Sequence, residues 1–276
     1  MQKTMNQFFD QIHNVPRVPE IVRTLITQFD DPRANFDDIA KNVEKEQIIA
    51  LKVLRLVNSA HFGLSKKVGT VQDAIIMLGM HQLRMLVIAS GIVNTMPKMD
   101  NFDLKNFWTT SFNTSTYSKW LAAEANTPSD LAFTAGLISG LGIILIRLAA
   151  PEKALKIDSQ LNQEESRQSI ELKEIGFTSE EICAELCRRW KFSPDLIDIV
   201  EHSGTPLNGR DVNKSACVVH IGRYLSECRS TNSTIEAILK SFPFKVSEYL
   251  GFSEDFIANK LPEILALESG MDGLFE

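Results

Sequence analysis

A chain of 276 residues, 44% hydrophobic and 23% charged, can bury a sizeable core as one large domain or two modest ones, and its composition excludes a disordered or fibrous protein. A formal net charge of -6 argues against direct binding of nucleic acid by phosphate neutralisation, because such proteins concentrate Lys and Arg. The basic clusters Lys66-Lys67 and Arg188-Arg189 with Lys191 are short and read as solvated surface.

From the N-terminus, Met5, Phe8, Phe9 and Ile12 recur at helical spacing and predict a short amphipathic lead-in over residues 1–13. Pro19 can open a helix but not continue one. It precedes the apolar face Ile21, Val22, Leu25, Ile26 and Phe29, which Asp30-Asp31-Pro32 breaks. Asn35 with Asp38 predicts the cap of a short helix through Ile39, Ala40 and Val43. After Glu44-Lys45-Glu46 the run Ile48, Ile49, Leu51, Val53, Leu54 and Val57 is helical again and leads into Asn58-Ser59-Ala60-His61-Phe62-Gly63. Asn58 and Ser59 favour helix ends because their side chains compete for nearby backbone groups, and Gly63 permits a left-handed turn. Thr70 opens the next helix through Val71, Ala74, Ile75 and Leu78, Gly79 ends it, and the pattern resumes from His81 to Val93. About six short helices before residue 95, with no alternating strand pattern, predict an all-α layer.

Met96-Pro97-Lys98-Met99-Asp100-Asn101 is the candidate boundary, dividing the chain into residues 1–100 and 101–276. Beyond it, Phe102 to Ala125 reads as a long helix whose aromatics, Phe107, Trp108, Phe112, Tyr117 and Trp120, have the spacing of core residues. Leu131 to Ile146 then runs without an ionisable side chain, so a helix here has no face for water and belongs in the middle of the protein. Thr127 as cap, Pro128 at the first helical position and Asp130 three residues after the cap predict its start, and Pro151 marks its end. The stretch falls short of the roughly twenty residues of a membrane span, and its glycines, serine and threonine favour a buried core helix over a membrane segment. At its centre Ser139 can bond back to a carbonyl one turn earlier, while Gly136 and Gly140 make a small face that another helix can approach closely.

Residues 152–170 are polar with weak periodicity. Gly176 reads as a helix stop, and Thr178 with Glu181 opens a capped helix through Ile182, Leu186 and Trp190. Ser193-Pro194-Asp195 opens the next, which ends at Glu201-His202-Ser203-Gly204, and Val212 to Cys228 is one more. Two or three amphipathic pieces follow, separated by Pro243, Gly251 and Pro262. Cys183, Cys187, Cys217 and Cys228 lie in the C-terminal part, and the N-terminal residues do not read as a basic-then-apolar signal sequence, so a reducing, cytoplasmic setting is expected. Cys183 and Cys187 share a helix face and could join His202 or His220 around zinc, but the tight Cys-x-x-Cys knuckle is missing and buried free thiols are the expectation.

The order and spacing of several stretches resemble the HD-related output domain (HDOD) family. They are Val18-Pro19 with Asp31-Pro32, Leu54 to Gly63 with the sextet residues Asn58, Ser59, Phe62 and Gly63, Val71 to Gly79, Ala135 to Gly142, and Trp190 to Pro194. The resemblance covers roughly residues 15–225 and implies an all-α fold in which an N-terminal helical layer packs on an HD-like helical core. It also implies a regulatory output module of bacterial signalling, related to the HD phosphohydrolases. Those enzymes hold divalent metal with a His, a His-Asp pair and a later Asp, because imidazole nitrogen and carboxylate oxygen are the donors such ions accept. Laid on that pattern, this chain is bare: the first His falls on about Thr110, the His-Asp pair on Ser139-Gly140, a further His near Ser179 and the late Asp near Gly222. Only His202 stands where the family often has a His-His pair, and its neighbour is Ser203. A hydroxyl is a poor ligand and glycine offers none, so the resemblance implies a vestigial pocket, with no metal, no cofactor and no enzymatic activity.

The expected function is therefore a non-enzymatic signalling module that binds a protein partner or a small ligand in that pocket. A nucleotide second-messenger binder is the alternative, with Arg147, Arg188, Arg189 and Arg223 as candidates for the phosphates. A residual phosphohydrolase using His202, His220 and Asp residues elsewhere rests on ancestry alone. No Walker loop, dinucleotide glycine fingerprint or Gly-x-Ser-x-Gly elbow offers other chemistry. Receiver, cyclase and kinase segments are likewise missing, which makes outside protein partners the expected source of its signal.

Overall fold

The computed structural model describes residues 4–12, 15–27, 36–59, 62–64, 67–97, 99, 102–161, 165–208 and 211–270, and among them every regular element is a helix. The first six are α1 (Met5–Phe9), α2 (Glu20–Thr27), α3 (Phe36–Lys45), α4 (Gln47–Val57), α5 (Val71–Leu78) and α6 (Met80–Thr95). Local chemistry sets their ends. Thr4 and Gln7 form a reciprocal capping box ahead of α1, and the Thr70 side chain accepts from the Asp73 N–H at the start of α5. Gly79, at φ 80°, ends α5 and starts α6, so the chain turns without a linker. α6 backs the layer, packing on α2, α4 and α5 with Leu83, Leu86, Val87 and Ile88 buried. The expected cap Asn35, the break Asp30-Asp31-Pro32, and Phe29 and His61 lie outside the described residues.

The core follows as α7 (Leu104–Glu124), α8 (Ser129–Ile138), α9 (Leu141–Ala149), α10 (Pro151–Gln160), α11 (Arg167–Glu174), α12 (Ser179–Arg189), α13 (Pro194–His202) and α14 (Lys214–Ser230). α7, α8 and α14 pack mutually, α12 lies against α9 and α13, and α6 reaches α8. The aromatics Trp108, Phe112 and Tyr117 are fully buried, as their spacing predicts. One hydrophobic cluster joins Leu86 and Ile88 to Trp108 and Phe133, so apolar packing is continuous across the 96–101 segment. A hydrogen bond from Trp190 Nε1 to Pro16 O, 2.7 Å, ties the N-terminal arm to the end of α12.

The apolar stretch is buried as expected, but it is not one helix. It breaks at Ser139-Gly140 into α8 and α9, where the Ser139 hydroxyl donates to Gly136 O at 3.1 Å. The break positions α9: a Cβ on Gly142 would stand 1.9 Å from Ser179 O, so the backbones of α9 and α12 nearly touch. Thr127 does not cap α8; its hydroxyl bonds back to Ala122 O of α7 at 3.4 Å, and Pro128 sits one place before the helix with no side-chain cap. By length and composition Ser129–Ala149 could cross a membrane, yet 72% of its most apolar window is buried inside the protein, which accounts for the composition.

Residues 152–170 hold two helices that the periodicity missed, because α10 buries only Ala154 and Ile157 and α11 only Ile170 and Glu171. The tail forms α15 (Ile235–Lys240), α16 (Phe244–Tyr249) and α17 (Glu254–Leu265), which build a second cluster with α14 and the C-terminal half of α7. Pro262 lies inside α17 rather than between pieces: it is exposed, and Leu261 and Ile264 stay buried on either side. Arg229 pins this end, donating to Tyr117 Oη, Leu265 O and Leu267 O at 2.8 to 2.9 Å.

Candidate functional site

Missing side chains create the site. A Cβ on Gly136 would lie 2.9 Å from Ser115 Cα, and one on Gly222 would lie 2.5 Å from Ser118 Oγ and 3.0 Å from Thr114 O, so α8 and α14 both press on the backbone of α7. Gly140 faces α7 as well, with its Cβ position 3.0 Å from the Phe107 ring. The small face expected at Gly136 and Gly140 is present. Hydroxyls in this seam turn back on their own helices: Ser111 to Phe107 O, Thr114 to Thr110 O and Ser115 to Phe112 O. Thr110 O also accepts from Ser226 Oγ of α14 at 2.7 Å.

Beside Gly222 stands the polar centre. Arg223 Nη1 donates to Glu180 Oε1 at 2.6 Å, while Nη2 lies 3.4 Å from Ser203 Oγ and 3.5 Å from Ser139 O. The Glu180 side chain is 4% exposed. Burial pushes its carboxyl up, but the Arg223 guanidinium outweighs this and holds it below the usual carboxylate range. Burial would likewise lower the Arg223 pKa, and the facing carboxylate raises it instead. Charges alternate outward from there. Glu171 accepts from the Ser179 N–H at 2.6 Å and from Arg167 Nε at 2.8 Å, Arg167 reaches Asp158, and Arg147 pairs with the same Asp158. Burial pushes the Glu171 carboxyl up, against the pull of Arg167. His220 Nδ1 meets Ser203 O at 2.9 Å; a carbonyl can only accept, so this nitrogen carries the proton, and burial lowers the pKa of the ring.

The structure thus brings Ser139 and Glu180, the residue after Ser179, around the guanidinium of Arg223, the residue after Gly222, with Thr110 and Gly140 in the adjoining seam. It does not bring in His202, whose side chain is 46% exposed and whose Nδ1 turns to Asp198. Its neighbour Ser203 is the buried member of that pair. Sequence reasoning missed Glu180, Glu171 and Ser203. Two glutamates in the first turn of α12 read as ordinary partners of a helix dipole, and nothing local marks Glu180 as the one that is buried. A surface cleft of about 270 Å³ opens beside the centre, lined by Ser166, Gln168, Thr178, Glu180, Glu201 and Asn208.

In the family sextet Asn58 caps α4 and grips the returning loop: Nδ2 donates to Leu54 O and Val68 O, and Oδ1 accepts from the Val68 N–H, at 2.7 to 2.8 Å. Phe62 packs on the main core, and Gly63 takes the expected left-handed conformation at φ 54°.

A divalent ion does not fit the residues present. The Ser139 hydroxyl is a poor, neutral ligand whose proton goes to Gly136 O, Gly140 and Gly222 have no side chain, and a guanidinium stands among these positions, where like charge repels a metal. Among the described residues no three His, Cys, Asp or Glu side chains group as ligands. The zinc alternative is not assembled either: Cys183 donates to Ile138 O, and burial pushes the Cys187 thiol well up.

An N-terminal helical layer packed on the α7–α14 core defines an all-α protein of the HD-like class. A family model for the HDOD domain matches residues 15–206, and the chain belongs to that family. It is similar to the crystal structure of a "Putative phosphohydrolase" from Shewanella amazonensis SB2B, with 26% identity, a TM-score of 0.79 and 97% of each chain covered. An HDOD domain protein from Geobacter sulfurreducens shares the fold at 20% identity and a TM-score of 0.75, over 95% of each chain. A "Putative signal transduction protein" from Marinobacter aquaeolei VT8 shares it at 19% identity and a TM-score of 0.78, over 100% of this chain and 60% of that one. An uncharacterised protein of Treponema pallidum (strain Nichols) is 24% identical over 203 residues, 71% of this chain, and the match spans 39% of that relative's length.

Proposed function

We propose that this chain is a non-enzymatic regulatory module of a signalling pathway that acts by binding a protein partner. One observation carries the reading: where the resemblance places metal ligands, this chain has hydroxyls, glycines and the guanidinium of Arg223. The name of the Shewanella structure belongs to that protein, and the chemistry it implies needs donors that these positions lack. A cytoplasmic setting agrees with the four unpaired thiols.

The nucleotide reading is weaker on a specific ground. Arg147, Arg188, Arg189 and Arg223, the candidates for its phosphates, pair with Asp158, Glu201, Glu185 and Glu180 respectively, so a phosphate must first displace a carboxylate. The cleft beside Glu180 has only carboxylates as charged lining groups.

The test is affinity capture from native cell extract with mass spectrometry, run beside a phosphoester panel supplemented with Mn²⁺ and calorimetry against cyclic dinucleotides and guanosine polyphosphates. A reproducible protein partner, no turnover and no heat are expected. Metal-dependent turnover that is lost on chelation would overturn the reading, and saturable heat with one nucleotide would replace the partner by that ligand.

A further inference from the structure

The polar centre contains a cation that belongs to the chain itself. Gly222 lets α14 lie against α7, and the next residue, Arg223, carries its guanidinium to the α8–α9 junction at Ser139, the first turn of α12 at Glu180 and the end of α13 at Ser203. Four segments therefore meet on one side chain. A metal ion would cross-link such segments through imidazole and carboxylate donors. A guanidinium cross-links them through N–H groups and needs acceptors instead; a carboxylate, a hydroxyl and a carbonyl stand at its nitrogens, and the nearby Glu227 carboxylate adds a further favourable charge.

We propose that Arg223 is a built-in cation that holds α8–α9, α12, α13 and α14 together in place of a metal ion, and that the acceptors around it form a guanidinium-selective site. Selectivity follows from geometry. The planar fork places one nitrogen on Glu180 and another between Ser139 and Ser203, whereas an ammonium is a point charge that cannot span both. The inference rests on the arrangement around Arg223 and not on the regulatory reading, so a failed partner capture leaves it standing.

Chemical rescue in the full chain tests it. Arg223→Ala removes the fork and leaves the Glu180 carboxylate buried, so the melting temperature should fall. Millimolar methylguanidinium should raise it again, more than equimolar methylammonium does, by binding the folded state alone. Wild type and the double variant Glu180→Gln/Arg223→Ala should show no such rise, and Arg223→Lys should recover only part of the loss. An equal response to both cations, or a rescue that persists without the Glu180 carboxylate, overturns the proposal. If Arg223→Ala does not fold, the wild-type chain supplies the second arm. Its melting curve should be unchanged by chelator and by added Mn²⁺ or Zn²⁺, and a chelator-induced drop that either ion reverses overturns the proposal as well.

Discussion

Asn58 shows how much one side chain can organise. It closes α4, and its amide pairs with both backbone groups of Val68 as a strand neighbour would, fixing the path of the chain into α5. Asn58→Ala should cost about 2 kcal/mol in denaturant unfolding, because several hydrogen bonds go at once while the site stays open to water. His220 and Glu180 set the response to acid. Both have folded-state pKa values below their usual ones, so each contributes stability that is complete above its ordinary pKa and is lost as pH falls toward the folded value. The His220 contribution should therefore decline below about pH 6.5, where an ordinary imidazole takes up a proton, and the Glu180 contribution below about pH 4.5. Glu171 and Glu227, both pushed up by desolvation, act in the opposite sense over the carboxylate range. His220→Gln keeps a donor for Ser203 O and should flatten the curve between about pH 6.5 and 5 without changing the carboxylate response below; chemical denaturation across pH checks this. No change of slope in that variant would mean that His220 does not sense acid.

Elements were legible where end chemistry and a wide apolar face coincided. Thr178 with Glu181 forms the full reciprocal box, and Ser193 caps α13 ahead of Pro194. Thr178→Ala should cost about 1 kcal/mol by thermal or denaturant melting. Helices α10 and α11 were not legible, because each lays only two buried residues on the core and their leucines, Leu155 and Leu172, face solvent and blur the apolar face. The break in the central stretch was illegible for a different reason. Ser139-Gly140-Leu141-Gly142 is compatible with a continuous helix, and the close approach of α12 that accompanies the break comes from a distant part of the sequence. Gly142→Ala puts a methyl group onto the Ser179 carbonyl and should destabilise by about 3 kcal/mol, whereas Gly140→Ala meets the displaceable Phe107 ring and should cost less; paired denaturation curves compare them. Similar losses in both variants would mean that the α9–α12 approach is not tight.

Across the whole molecule, the HDOD match spans residues 15–206; the N-terminal layer and the HD-like core share one apolar cluster, while α15–α17, beyond the match, cover the far side of α7 and α14. The class was readable from five dispersed stretches, since they reflect packing that the fold repeats. The site was half readable. Hydroxyls and glycines at Thr110, Ser139, Gly140 and Gly222 state in the sequence that metal donors are missing, but what stands there instead depends on Glu180 and Arg223, 43 residues apart, meeting across α12 and α14. Elemental analysis of the chain purified from its native cells, without added metal or chelator, bears on this account at its root. Less than a tenth of an equivalent of Mn, Fe, Mg or Zn per chain is predicted, roughly the level of trace occupancy for a site with no ligand set. About one or two equivalents of any of these ions would contradict it, because Arg223 could not then occupy the centre.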